Sequence, residues 1–210
     1  MGAIRLLSKD LIDRIAAGEV IERPASVVKE LIENAIDAQA SSITIAIEEA
    51  GIGLISIVDN GRGMDETDLA MAVKRHATSK LKTPEDLFAI ETLGFRGEAL
   101  PSIAAVSRMT IASRTADMAY GCYLALEGGE VIERGKRAMP EGTILEIRDL
   151  FFNTPARKKF LKTTATEQKN ILDVITRYAL IREDISFRVS MDGRAAMRLT
   201  SGMDLTQRLG

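Results

Sequence analysis

Glu30, Glu33, Asn34 and Asp37 follow one another at intervals of three and four within VVKELIENAIDA, residues 27–38. At 3.6 residues per turn, such positions line one side of a helix. The opposite side, with Val27, Val28, Leu31, Ile32, Ala35 and Ala38, is apolar and suits a core. Two readings fit the polar stripe: a solvated face and a cation site. Solvated faces pair acids with Lys or Arg three or four residues away. Lys29 serves Glu33 in that way, but Glu30 and Asp37 have no basic residue at those spacings. The stripe therefore repels itself until a cation arrives.

Three further stretches could do chemistry. DNGRGM, residues 59–64, follows the strand-like LISIVD. A carboxylate at a strand end, Asp59, can accept hydrogen bonds from an exocyclic amine such as adenine's. Gly61 and Gly63 let a flat ring approach the backbone. An Asx turn closing a strand is the alternative. In LGFRGEAL, residues 93–100, Gly94 and Gly97 flank Phe95 and Arg96 and open, through Glu98, onto a helix start. Free N–H groups there suit an anion such as phosphate. Upstream, Thr78, Ser79 and Lys80 offer two hydroxyls and an ammonium to the same anion. EGTILEI places Gly142 and Thr143 before a strand, where the Thr143 hydroxyl could hold a ring nitrogen or a water beside Asp59. His76, the one histidine, reads as a packing or surface residue. No Walker A pattern occurs, which argues against a P-loop site.

The elements that must position these groups follow from periodicity and turn chemistry. Helices are expected over KDLIDRIAA (capped by Ser8), residues 24–39, DETDLAMAVKR, EALPSIAAV and TEQKNILDVITRYALI. Strands are expected in ITIAIEEAGIGLISIVD (two), RMTIASR, YGCYLALE, EVIERG, TILEIRDL and ISFRVSMDGRAAMRLT (a hairpin). Gly128-Gly129 and Asp192-Gly193 are hairpin turns. About eight strands, several joined by tight turns, predict an α+β two-layer sandwich: a mixed, mostly antiparallel sheet with helices packed on one face. Residues 76–97 show no sustained period and read as a long connection, a kind of loop that is usually functional. Residues 1–200 are expected to form one domain, and 201–210 a connector toward a second domain.

Composition sets outer bounds. The chain has 210 residues, 46% of them hydrophobic, enough for a substantial core. A net charge of −2 excludes a molecule that is basic throughout, although ARKKFLK and ERGKR are local basic clusters that could meet DNA phosphate. Cys122 stands alone, so neither an intrachain disulfide nor a multi-cysteine metal site can form, and a small strand residue is its expected role. No signal-peptide pattern and no bilayer-length apolar run occur, so no membrane partner and a cytoplasmic location are expected.

Taken in order, a helix bearing Glu and Asn, then DxGxG, a Gly-rich loop and Gly-Thr resemble the ATP-binding (Bergerat) fold of the GHKL group. That group comprises DNA gyrase, the ninety-kilodalton heat-shock chaperone, histidine kinases and MutL. IAAGEVIERPASVVKELIENAIDA, RHATSK, LGFRGEAL, SRTA and DLFFNTPARKKFL narrow the resemblance to mismatch-repair proteins of the MutL family. Gln39, where Gly is common in that family, and Pro101, where a small residue is common, depart from the pattern beside motifs rather than within a ligand set.

The resemblance implies ATP and Mg²⁺ as ligands and slow hydrolysis that switches conformation. Glu30 would be the general base, Asn34 the protein ligand of Mg²⁺, and Glu33 a structural ion-pair partner. Asp59, Gly63 and Thr143 would hold adenine; Thr78, Ser79, Lys80 and the segment Gly94, Phe95, Arg96, Gly97 and Glu98 would hold phosphates. It also implies an ATP-dependent homodimer. A MutS-type mismatch recognition protein and a downstream repair nuclease or helicase would be its partners, with DNA bound by the full-length protein at the nucleoid during repair. A binding and dimerisation module with little hydrolysis of its own is the alternative. Ordering a lid of about twenty residues costs ~1–2 kcal/mol per residue, against ~1.5–3 kcal/mol for each charge-assisted phosphate contact. Burial against a second copy would supply the difference.

Overall fold

The computed structural model describes residues 20–77, 93 and 97–209. The expected Ser8-capped helix, most of the 76–97 connection, and Thr78, Ser79, Lys80, Gly94, Phe95 and Arg96 lie outside them.

The first described helix, α1 (Pro24–Asp37), starts with Pro at its first position, where a missing N–H costs nothing. Its N-cap residue, Arg23, makes no side-chain cap. At the other end Gln39 adopts φ 62°, its N–H bonds Ile36 O, and Ala40 N–H bonds Ala35 O. This is a Schellman ending, whose left-handed position favours glycine. It explains physically why Gly would suit position 39.

Strands β1 (Ser42–Glu48) and β2 (Leu54–Asp59) are joined through a 3-10 turn, Glu49–Gly51, rather than a simple glycine turn. Helices α2 (Glu66–Ala72) and α3 (Ala99–Ala105) follow, then β3 (Arg108–Arg114), β4 (Gly121–Glu127), β5 (Glu130–Arg137) and β6 (Gly142–Arg148). Pro101 sits in the first turn of α3, where it displaces no intrahelical bond. The hairpin turns fall where Gly128-Gly129 and Asp192-Gly193 predict them, all four residues at positive φ. DLFFNTPARKKFL carries a short helix, α4 (Pro155–Phe160), that periodicity alone does not reveal. The long helix α5 (Thr164–Ile181) leads to β7 (Ser186–Met191) and β8 (Arg194–Leu199).

All eight strands form one sheet in the order β5-β4-β3-β6-β2-β1-β7-β8. Neighbours are antiparallel except β1 and β7. A parallel neighbour needs a crossover, and α5 lies on that crossover. One face of the sheet, with Ile43, Ile45, Ile47, Ile55, Ile57, Ile111 and Ile147, is buried together with Val28, Leu31 and Ile32 of α1 and Ile171 and Ile175 of α5. The α+β sandwich with helices on one face is thus the observed fold.

SGMDLTQRLG carries a short helix, α6 (Leu205–Leu209). Within it the buried Arg208 guanidinium donates to the carbonyls of Ala179, Glu183, Ile185, Thr200 and Met203. This fixes residues 203–208 against the C-terminal end of α5. Among the described residues no helix is long and apolar enough to cross a membrane.

Candidate nucleotide site

Alternation along β2 turns Ile55, Ile57 and Asp59 to the same buried face. The last of these is therefore a carboxylate in a core position, 7% exposed. Strand register sets Asp59 opposite Thr143 of β6. Its Oδ1 accepts the Gly61 N–H at 2.8 Å, and the Thr143 backbone N–H also bonds it. Burial raises the Asp59 pKa to about 6, against the opposing pull of those two N–H groups. A buried carboxylate at a sheet end, under-solvated and facing a turn, is suited to a neutral polar donor such as an amine.

The DNGRGM turn is pressed between α1 and β3. A Cβ on Gly61 would lie 2.7 Å from Ala38 O, and one on Gly63 (φ 67°) 2.1 Å from Arg114 O. Arg62 N–H bonds Ala38 O, and Met64 N–H bonds Ser113 Oγ at 2.8 Å. Asn60 is structural: its Oδ1 accepts from the N–H groups of Ser41 and Ser42. Gly142, at φ 120°, passes so close to β2 that a Cβ would meet Asp59 O at 2.0 Å.

Ser113 is the residue the motif reading overlooked as a site member. It is fully buried at the end of β3, on the same face as Met109 and Ile111. Its Oγ reaches Gly142 O at 3.0 Å and Thr143 Oγ1 at 2.9 Å. With the single Ser113 proton on Gly142 O, the Thr143 hydroxyl donates to Ser113 and offers lone pairs to a water; with it on Thr143 Oγ1, the Thr143 proton is left to donate to a ring nitrogen. The alternation of RMTIASR, which turns the serine inward, was the available signal.

On α1 the stripe divides into two kinds of residue. Glu33 is 6% exposed, paired with Lys29 Nζ at 3.0 Å and accepting a short hydrogen bond from the Tyr178 hydroxyl of α5. Glu30 and Asn34 are half-buried. Glu30 Oε1 contacts the same Lys29 Nζ at the longer distance of 3.5 Å. Asp37 Oδ1 accepts the Leu93 N–H at 3.2 Å, which ties the helix to that residue. The apolar side packs as its spacing requires, except that Glu33 is buried with it.

Gly97 (φ 61°) and Glu98 precede α3, which packs against α1. A Cβ on Gly97 would meet Ala77 O at 2.4 Å. The exposed His76 Nδ1 lies 2.8 Å from Glu98 Oε1. The two flanks of the long connection therefore meet at the start of α3. Asp59, Gly63 and Thr143 form one cluster with Ser113, beside the C-terminal end of α1. Among the described residues no three His, Cys, Asp or Glu side chains gather as a metal-binding group.

The chain and its fold have counterparts among known proteins. The chain belongs to the family described as histidine kinase-, DNA gyrase B-, and HSP90-like ATPase, which matches residues 21–143. Within it the similarity is to MutL. DNA mismatch repair protein MutL of Listeria innocua is 53% identical over 201 residues, 96% of this chain and 33% of that protein. MutL of Desulforudis audaxviator is 50% identical over 210 residues, covering 100% of this chain and 37% of that protein. The chain thus spans about a third of the length of these relatives. Among solved structures, an Aquifex aeolicus MutL ATPase domain complexed with ADP has a TM-score of 0.71 at 35% identity, covering 90% of this chain and 68% of that one. The N-terminal domain of a DNA repair protein has a TM-score of 0.82 at 29% identity, covering 97% and 61%.

Proposed function

We propose that this chain binds Mg·ATP and hydrolyses it slowly, as the switching domain of a mismatch-repair matchmaker. The observation that carries the reading is the buried Asp59 carboxylate, held by backbone N–H groups at the end of β2 beside a glycine turn pressed against neighbouring main chain. Asp59 accepts from the adenine amine, Thr143 holds a ring nitrogen or bridging water, and Gly63 allows close approach.

The α1 residues fit the other end of the nucleotide. Asn34 presents a neutral, hard amide oxygen one turn beyond Glu30, suited to Mg²⁺, which takes its remaining ligands from phosphate and water. When bound, the ion neutralises phosphate charge. Glu30 accepts a proton from the attacking water; its half-buried carboxylate has the longer, 3.5 Å contact with the Lys29 ammonium that Glu33 holds at 3.0 Å. Thr78, Ser79, Lys80 and the backbone from Gly94 to Glu98 hold phosphates. Catalysis then rests on positioning and charge neutralisation rather than covalent steps.

ATP closes the 76–97 segment and drives homodimerisation, with the first twenty residues reaching across to the second copy. In the whole protein a MutS-type recognition protein, a downstream nuclease or helicase, and DNA are the partners, in the cytoplasm at the nucleoid.

The test separates binding from chemistry. Glu30→Ala keeps Mg·ATP affinity and loses roughly 10²–10⁴-fold in single-turnover hydrolysis. Asn34→Ala instead weakens Mg·ATP binding. Equal hydrolysis by wild type and Glu30→Ala removes the general-base role.

A further inference from the structure

Glu33 is the one acid of the α1 stripe that is buried, and a buried carboxylate persists only when it is paired and hydrogen-bonded. It has two partners from two helices. Lys29, four residues earlier on α1, places Nζ 3.0 Å from Oε1 and 3.1 Å from Oε2. Tyr178 of α5 donates its hydroxyl to Oε1. The same ammonium lies 3.5 Å from Glu30 Oε1. Lys29 is thus shared unequally between the two carboxylates.

Electrostatics agree with that geometry. Burial lowers the Lys29 pKa, but hydrogen bonding and charge from Glu33 and Glu30 more than offset this and keep the ammonium charged. Burial, then the bond to Glu33, raises the Tyr178 pKa, so its hydroxyl remains a donor. A side chain shared between two acids goes to the one that is buried and pre-oriented, since that contact is the less screened by water.

We infer that Glu33 and Tyr178 are positioning residues that draw the Lys29 ammonium toward Glu33, leaving it only the longer 3.5 Å contact with Glu30, and so limit how far it neutralises the carboxylate that orients water. This rests on the general-base reading of Glu30 and extends it. Without Glu33, the ammonium closes on Glu30 and occupies the oxygen that should receive a proton. Tyr178 fixes the Glu33 carboxylate, which ties the acidic stripe to α5. The adjacent Ala179 carbonyl accepts from Arg208, so the same turn of α5 also holds the short helix α6.

The experiment compares Glu33→Gln with Glu33→Gln/Lys29→Met, using single-turnover hydrolysis and calorimetric binding of a non-hydrolysable ATP analogue with Mg²⁺. Glu33→Gln should bind the analogue within about twofold of wild type and hydrolyse about tenfold more slowly, a modest part of a general base's contribution. Removing the ammonium in the double variant should recover most of that loss. A role confined to stability would not be rescued by deleting a second charge. Tyr178→Phe keeps the carboxylate and should give a smaller loss in the same direction if Glu33→Gln folds poorly. The inference is overturned by wild-type hydrolysis in Glu33→Gln, by a double variant no faster than the single one, or by loss of analogue binding in a folded Glu33→Gln. Glu30→Ala distinguishes the two levels. If it still hydrolyses, the general-base reading fails; if it is inactive while Glu33→Gln is normal, only the present inference fails.

Discussion

At the Asp59 end of the site nearly every contact runs through main chain. Register places Thr143 opposite the carboxylate, and the close passages at Gly61, Gly63 and Gly142 leave no room for a Cβ. At the α1 flank the contacts run through side chains: Lys29, Glu33 and Tyr178 share charge and protons around Glu30. The first region is therefore a rigid mould whose errors are errors of folding. The second is an arrangement of charges whose errors change chemistry on an intact fold.

The largest effect that would sharpen this contrast is steric. Gly142→Ala forces a Cβ to within 2.0 Å of Asp59 O at a φ of 120°. Strain and clash together should cost about 3–5 kcal/mol, read as a fall in unfolding temperature of roughly 10 °C. A variant as stable as wild type would show that the strands are less tightly apposed than described.

Asp59→Asn comes next and should behave oppositely: fold kept, binding lost. Removing one charge-assisted bond of ~1.5–3 kcal/mol weakens adenine nucleotide binding about 10- to 100-fold. Stability should hold or rise, because a buried charge is removed. The pH dependence has a definite sign. Folded Asp59 keeps its proton up to about 6, whereas the ordinary value is 3.8. Between those values the native state binds more protons, so raising pH through this window lowers the stability of the nucleotide-free protein. Nucleotide affinity runs the other way and rises as the carboxylate ionises near pH 6. Thermal unfolding and calorimetry across pH 4–8 check both trends, and Asp59→Asn should flatten them.

The smallest effect lies at the join between the two regions. Gln39 occupies the left-handed position that ends α1. Gln39→Gly should stabilise by about 1 kcal/mol, a few degrees in unfolding temperature, with nucleotide affinity unchanged. A change in affinity would mean that the end of α1 also shapes the ring site.

What the sequence reveals follows the same division. Alternation and turn chemistry mark the strands and both tight hairpins because those signals are local. The buried position of Asp59 is legible as the last member of an inward series. Ser113 is harder to see, since its importance arises from β3 lying beside β6, a long-range pairing with no local mark. Burial of Glu33 is equally hidden: helical spacing sets it in the polar stripe, and only the packing of α5 supplies Tyr178. The short helix α4 and the docking of Arg208 are likewise tertiary facts, without periodicity to announce them.

The central claim is that Asp59 anchors the nucleotide while α1 stands over its metal and phosphates. Calorimetric titration of the folded chain with a non-hydrolysable ATP analogue in magnesium buffer, beside Asp59→Asn, tests it most directly. Saturable uptake by wild type, at least tenfold weaker in an equally stable Asp59→Asn, is the predicted result. No uptake by folded wild-type protein, or equal affinity in the two, would contradict it.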